Sequence, residues 1–130
     1  MTETTPAAER AKRLLPLFDD SAPIACTLGE DEKADRIALL DRMRAAMTSL
    51  ERTNTGMVLQ FPRRADIEAD VRRFAVDEKR CCQFWGFAVL DGDDDLALRW
   101  DAPPAAAHLV DALEGVLRSD DPIERIGGLL

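Results

Sequence analysis

Apolar positions spaced as on a helix are clearest between residues 30 and 52. They recur at intervals of three and four, at Ile37, Leu40, Met43, Met47 and Leu50. This spacing places one apolar stripe along a helix that runs to about Arg52. Thr27, followed three residues later by Glu30, has the pattern of a capping box. We therefore predict that this first helix begins just after Thr27.

The chain beyond this helix shows both strand and helix patterns. Alternation of apolar and polar residues predicts strands, and spacing of three and four predicts helices. The first predicted element is a strand at 57–61. A helix with Ile67, Val71 and Phe74 inward follows and runs to about Cys82. Two strands at 84–90 and 96–100 come next, and the last element is a helix that begins with Pro103 and Pro104. The acidic loop 91–95 joins the last two strands as a hairpin.

This order of elements predicts an α+β fold. A two-layer sandwich is the economical arrangement: a small, mostly antiparallel sheet of three to four strands with the helices packed on one face. Residues 21–118 are predicted to form a single domain. Residues 1–20 are predicted to be an N-terminal arm or short helix, and residues 119–130 a C-terminal tail.

Composition and charge narrow the possible functions. The 130 residues suffice for one domain, and the formal net charge of −8 argues against nucleic-acid binding and against docking on an anionic membrane. No apolar run approaches the roughly 18–20 residues that span a bilayer, and the first ten residues do not have the pattern of a secretory signal. We expect a cytoplasmic protein whose three cysteines are reduced and used chemically.

The second predicted helix carries the main candidate site. The next position on its apolar stripe is Glu78, and Cys81 and Cys82 follow three and four residues later on the same surface. A carboxylate on an apolar stripe is costly unless it is paired, so these residues are candidates for one wall of a polar pocket. Alternatively, Glu78 lies at the solvated edge of the stripe and both cysteines are small core residues.

Cys26 is the third candidate thiol. It ends a short extended piece, residues 24–26, immediately before Thr27. The positive end of the first predicted helix favours a thiolate at this position, although a buried cysteine in a short strand is the alternative. If Cys26 meets Cys81 and Cys82 in space, the three sulfurs and Glu78 predict a site for a soft ion of the Hg, Zn or As type. Paired zinc-ligand spacing is absent, so we expect transient capture and no tightly bound cofactor.

Three short motifs resemble those of a group of small, largely uncharacterised bacterial proteins. They are C-T-L at residues 26–28, F-P at 61–62 and E-x-x-C-C-x-F at 78–84. The resemblance covers about residues 23–117. It implies a loose association with metal-responsive or mercury-resistance functions, without an assigned reaction, and it implies functional roles for Cys26, Glu78, Cys81 and Cys82.

Three functions are open at this point. The first is a thiol protein that binds a small thiophilic ligand or soft metal, in which Cys26 captures first, a second thiol displaces a ligand and Glu78 takes up or relays the proton. Cleavage of a carbon–metal bond would be an extension in which Glu78 donates the proton. The second is thiol redox or sulfur relay through the same cysteines, with Cys26 preferred as the disulfide partner. The third is a binding module with packed cysteines that could form a homodimer.

Overall fold

A computed structural model of the chain describes Ala7, Phe18 and residues 30–119. From residue 30 onward the elements, in chain order, are α1 (Glu30–Ala46), β1 (Ser49–Arg52), β2 (Gly56–Pro62), α2 (Ala65–Cys81), β3 (Gly86–Asp91), β4 (Asp95–Asp101), a 3-10 turn (Pro104–Ala106) and α3 (Ala107–Leu117). The predicted capping box at Thr27, the extended piece ending at Cys26, most of the arm and nearly all of the tail lie outside the described residues.

The four strands form one antiparallel sheet in the order β1-β2-β4-β3, which confirms the predicted α+β class. β2 and β4 lie at the centre, with Leu59 opposite Leu98. β3 begins at Gly86 and not at Phe84, because Phe84 and Trp85 lie in a turn after α2 that is closed by a hydrogen bond from the Trp85 N–H to the Cys82 carbonyl (3.1 Å).

The prediction that the first helix continues to Arg52 is wrong. α1 ends at Ala46, and residues 49–52 form the edge strand β1. A turn stabilises this hairpin, since Gly56 N–H donates to the Thr53 hydroxyl and Thr53 N–H donates to the Gly56 carbonyl, both at 2.9 Å. Leu50 is buried opposite Leu59 in the strand, so the hairpin buries the same residue that the helical spacing placed inward.

The three helices from residue 30 onward pack on one face of the sheet, as predicted. Their buried residues join the inward side chains of the strands in one core, which includes Leu39, Leu40, Met43, Val71, Phe74, Val110, Leu113, Met57, Leu59, Phe61, Leu96, Leu98 and Trp100. Trp100 lies among aromatic rings, with centroids 5.3 Å from Phe74, 5.3 Å from Trp85 and 5.4 Å from Phe87. These contacts fix α2 and the turn after it against the sheet.

The opposite face of the sheet is also covered in part. Ala7, although distant in sequence, is fully buried and clusters with Val58 and Ala97 on this face. None of the helices in the described part of the chain is long and apolar enough to cross a membrane.

Two of the described glycines, Gly56 and Gly115, provide a matched test of the packing. A Cβ at Gly56 would overlap the carbonyl oxygen of Trp100 on the neighbouring strand, whereas a Cβ at Gly115 would meet nothing within 4 Å. Gly56→Ala should lower the free energy of unfolding by about 1–3 kcal/mol, the usual cost of overpacking. Gly115→Ala should raise it by about 0.5–1 kcal/mol, since alanine favours the helix. Urea denaturation measures both, and equal effects would contradict the close approach of β2 and β4.

Candidate functional site

α1 and α2 pack side by side in opposite directions. Two ion pairs define this arrangement. Arg36 near the start of α1 pairs with Glu78 near the end of α2. Arg42, later in α1, pairs with Asp70, earlier in α2 (3.2 Å). The beginning of α1 therefore lies beside the end of α2, where Cys81 is the last helical residue.

Glu78 continues the apolar stripe of α2, as the spacing predicted. Ile67, Val71 and Phe74 are buried, and Glu78 has no exposed surface. The alternative position at a solvated edge is therefore excluded. A carboxylate buried to this degree needs a partner, because burial without one costs several kcal/mol.

Arg36 is that partner, and it was not among the residues predicted for the site. Its guanidinium is buried and forms an ion pair with Glu78 through Nη1 and Oε2. Arg36 precedes Leu40 by four residues and Met43 by seven, so it lies on the buried stripe of α1. Each of the two apolar stripes carries one charged residue, and this was the signal in the sequence that the two helices form an ion pair with each other.

Burial raises the pKa of the Glu78 carboxyl above its usual value, while Arg36 and the indole N–H of Trp85 act in the opposite direction. Burial lowers the pKa of Arg36, but the charge and hydrogen bond of Glu78 outweigh it, so the pKa is raised. Oε1 of Glu78 and Nε1 of Trp85 have no hydrogen bond of standard geometry within the described residues. The indole is therefore near enough to act on the carboxylate but does not fully satisfy it.

The turn after α2 holds Trp85 in this position. The Cys82 N–H donates to the Glu78 carbonyl (2.7 Å) at the helix end. Lys79 then reaches across the turn, and its Nζ donates to the carbonyl oxygens of Gln83 (2.5 Å) and Trp85 (2.6 Å). This cation thus satisfies two carbonyl groups of the turn that follows the helix.

The neighbouring cysteines differ in both accessibility and oxidation state. Cys81 is half-buried and is a free thiol, and Nη2 of Arg36 donates to its Sγ at 3.9 Å. Cys82 is fully buried and is disulfide-bonded, so the prediction that all three cysteines are reduced is wrong for Cys82. Arg36 therefore contacts both Glu78 and Cys81, which brings two of the four predicted site residues together.

Cys26 lies outside the described residues, so its place beside Cys81 and Cys82 stays a prediction. The described part of the chain contains no group of three histidine, cysteine or acidic side chains that could hold a metal ion. The thiolate is the form of cysteine that binds metal, so the sulfur of Cys82 would first have to leave its disulfide. Glu78 would likewise have to leave Arg36.

A cavity of about 210 Å³ opens between α1 and α2 beside Cys81. Six of its eight lining residues are charged; the lining comprises Glu32, Asp35, Arg36, Leu39, Arg73, Asp77, Arg80 and Cys81. The free thiol is thus part of the wall of a polar cavity, whereas the adjacent Cys82 is enclosed in the core.

No protein-family model, curated protein or solved structure matches the chain. The resemblance to small bacterial proteins with the E-x-x-C-C-x-F motif therefore stays a prediction. Any function assigned to the chain has to be argued from the geometry around Cys81, Cys82, Arg36 and Glu78.

The Arg36–Glu78 pair can be tested by removing one partner or both. Glu78→Leu leaves a buried guanidinium without its anion and should lower the free energy of unfolding by about 3–5 kcal/mol. Arg36→Met combined with Glu78→Leu should recover most of that loss, because well-packed apolar residues replace such pairs at little cost. Urea denaturation of the single and double variants gives the coupling energy.

The exposed pair between the same two helices is the matched control. Removing Arg42 and Asp70, singly or together, should change the free energy of unfolding by about 1 kcal/mol or less. A Glu78→Leu variant as stable as the wild type would show that Arg36 and Glu78 do not form a buried pair.

Proposed function

We propose that the protein acts by thiol–disulfide exchange. Cys81 is the reactive thiol, and the disulfide of Cys82 is the group that is reduced and reoxidised. The observation that carries this proposal is the pair of adjacent cysteines in different states, one a free thiol at a cavity and the other in a buried disulfide. This is the second of the three functions that the sequence left open.

Cys26 is the proposed partner of Cys82. The chain has three cysteines, and Cys81 is free. The antiparallel packing of α1 and α2 supports this pairing, because it brings the beginning of α1 to the end of α2. Cys26 precedes the first residue of α1 by four positions, a length of chain that spans at most about 14 Å.

The difference in accessibility makes Cys81 the relay, that is, the thiol through which the disulfide of Cys82 exchanges with thiols in solution. The sulfur of Cys82 is enclosed in the core, so a small thiol in solution cannot attack it directly. Cys81, the residue before Cys82, lines the cavity. Arg36, positioned by Glu78, donates to the Cys81 sulfur and holds it at the cavity wall. Glu78 is a positioning residue in this scheme.

The exchange needs an external reductant, which we take to be a low-molecular-weight thiol, RSH. The Cys81 thiolate attacks the Cys26 sulfur, a Cys26–Cys81 bond forms, and Cys82 leaves as a thiolate that takes up a proton. RS⁻ then attacks the Cys81 sulfur, giving a Cys81–SR mixed disulfide and releasing Cys26 as a thiol. A second RSH regenerates the Cys81 thiol and yields RSSR. The sum is reduction of one protein disulfide by two RSH, and the reverse sequence oxidises the protein.

The predicted cytoplasmic location agrees with this proposal. Disulfides in cytoplasmic proteins are uncommon, and those that occur are usually catalytic or redox-sensing. A cytoplasmic protein with the disulfide of Cys82 would therefore use it as a reversible redox group.

Soft-metal capture through Cys26, Cys81, Cys82 and Glu78 stays a separate prediction for the reduced chain. Reduction would free Cys82 next to Cys81, and neighbouring thiolates select soft ions of the Hg, Zn or As type. The disulfide at Cys82 favours redox exchange over metal capture for the oxidised form described here.

Replacing Cys81 tests the relay. The oxidised full-length chain is mixed with excess glutathione, samples are quenched with N-ethylmaleimide, and peptide mass spectrometry follows the loss of the Cys82 disulfide. The wild type should pass through a glutathione adduct on Cys81. Cys81→Ser should slow reduction on the order of tenfold or more, because it removes the accessible attacking sulfur.

Gln83→Ser is the matched control, since it alters an exposed side chain on the other side of Cys82 and should be reduced at the wild-type rate. Equal rates for Cys81→Ser and the wild type would overturn the relay. A disulfide that glutathione reduces only after urea unfolds the chain would overturn the redox function and favour the module with packed cysteines.

A further inference from the structure

We infer that the cavity beside Cys81 takes a small zwitterionic thiol or disulfide, one that carries an ammonium and a carboxylate group as an amino acid does. This inference rests on the proposed exchange at Cys81 and adds the class of its substrate. It comes from the distribution of charge in the cavity, which the exchange chemistry itself does not require.

The two walls of the cavity carry charges of opposite sign that form no ion pair within the described part of the chain. On the α1 side, Glu32 and Asp35 line the cavity, and on the α2 side Arg80 does so. Within the described residues none of the three forms an ion pair, whereas Arg36 is paired with Glu78. The cavity therefore offers anions to a ligand on one wall and a cation on the other.

Arg73 and Asp77 add little net charge, because they pair with each other across one turn of α2 (3.5 Å). The charges left for a ligand are then two carboxylates and one guanidinium. A ligand with an ammonium group toward Glu32 and Asp35 and a carboxylate toward Arg80 would satisfy both walls. A ligand that carries charge of only one sign would lose one of these contacts.

The size of the cavity limits the ligand. Its volume of about 210 Å³ is below the roughly 300–1,000 Å³ of sites that hold drug-sized molecules. Leu39 provides an apolar lining residue for a short methylene chain, and the Cys81 sulfur provides the reactive group. These features fit a molecule with the dimensions of a single sulfur-containing amino acid, or one half of its disulfide.

Three small disulfides separate the contributions of the two walls. Cystine carries both charged groups, cystamine lacks the carboxylates, and dithiodiglycolate lacks the ammonium groups. Each is added to the oxidised full-length protein, in which Cys81 is the free thiol, and intact-mass spectrometry gives the rate of adduct formation on Cys81. The rates are divided by those of a cysteine-containing model peptide, which corrects for intrinsic reactivity. Cystine should react fastest relative to the peptide.

Charge variants assign the preference to particular residues. Arg80→Gln should slow the reactions of cystine and dithiodiglycolate roughly two- to fivefold, the range expected for an exposed charge contact, and should not slow cystamine. Asp35→Asn combined with Glu32→Gln should slow cystine and cystamine and should not slow dithiodiglycolate. Arg64→Gln, a change at the opposite end of α2, is the control and should leave all three rates unchanged.

The outcomes separate this inference from the proposed function. Adducts that form on Cys81 at the same corrected rate with all three disulfides would overturn the zwitterion preference and leave the exchange at Cys81 in place. The same conclusion follows if the Arg80 and Asp35 variants do not shift the preference. Failure of all three disulfides to modify Cys81 in the folded protein would overturn both.

Discussion

The buried ion pair between Arg36 and Glu78 is the interaction on which the candidate site depends. It joins the start of α1 to the end of α2, and the same guanidinium contacts the Cys81 sulfur. A buried charge is strongly destabilising when its partner is removed, so each residue constrains the other. The position of the free thiol is thus linked to an interaction that the fold cannot easily lose.

The sheet and its aromatic residues hold α2 in the position that this ion pair requires. Trp100 on the central strand β4 contacts Phe74 in the middle of α2 and Trp85 in the turn after it. Lys79 closes that turn, and Cys82 is buried within it. Contacts on both sides therefore hold the last turn of the helix, and Cys81 in that turn lines the cavity.

Much of the framework follows from local patterns in the sequence. The stripe of α2 placed Glu78 either on the buried face or at its solvated edge, and the structure decides for burial. The alternation of strand residues predicted the antiparallel sheet. The end of α1 was mispredicted because Leu50 fits the inward position of either a helix or a hairpin, and only the pairing with β2 distinguishes them. The partner of Glu78 was missed because Arg36 is 42 residues away, and its position on the stripe of α1 had been assigned to Ile37. The disulfide state of Cys82 depends on contacts that spacing along the chain does not specify.

Cys81 and Cys82 differ in oxidation state, and peptide mapping of the unreduced protein measures this difference. The full-length chain is treated with iodoacetamide without reductant, first folded and then in urea, and its peptides are identified by mass spectrometry. We expect a carbamidomethyl group on Cys81 and a disulfide-linked peptide that joins Cys82 to Cys26. A carbamidomethyl group on Cys82, or a disulfide that contains Cys81, would show that the two cysteines are not in these states.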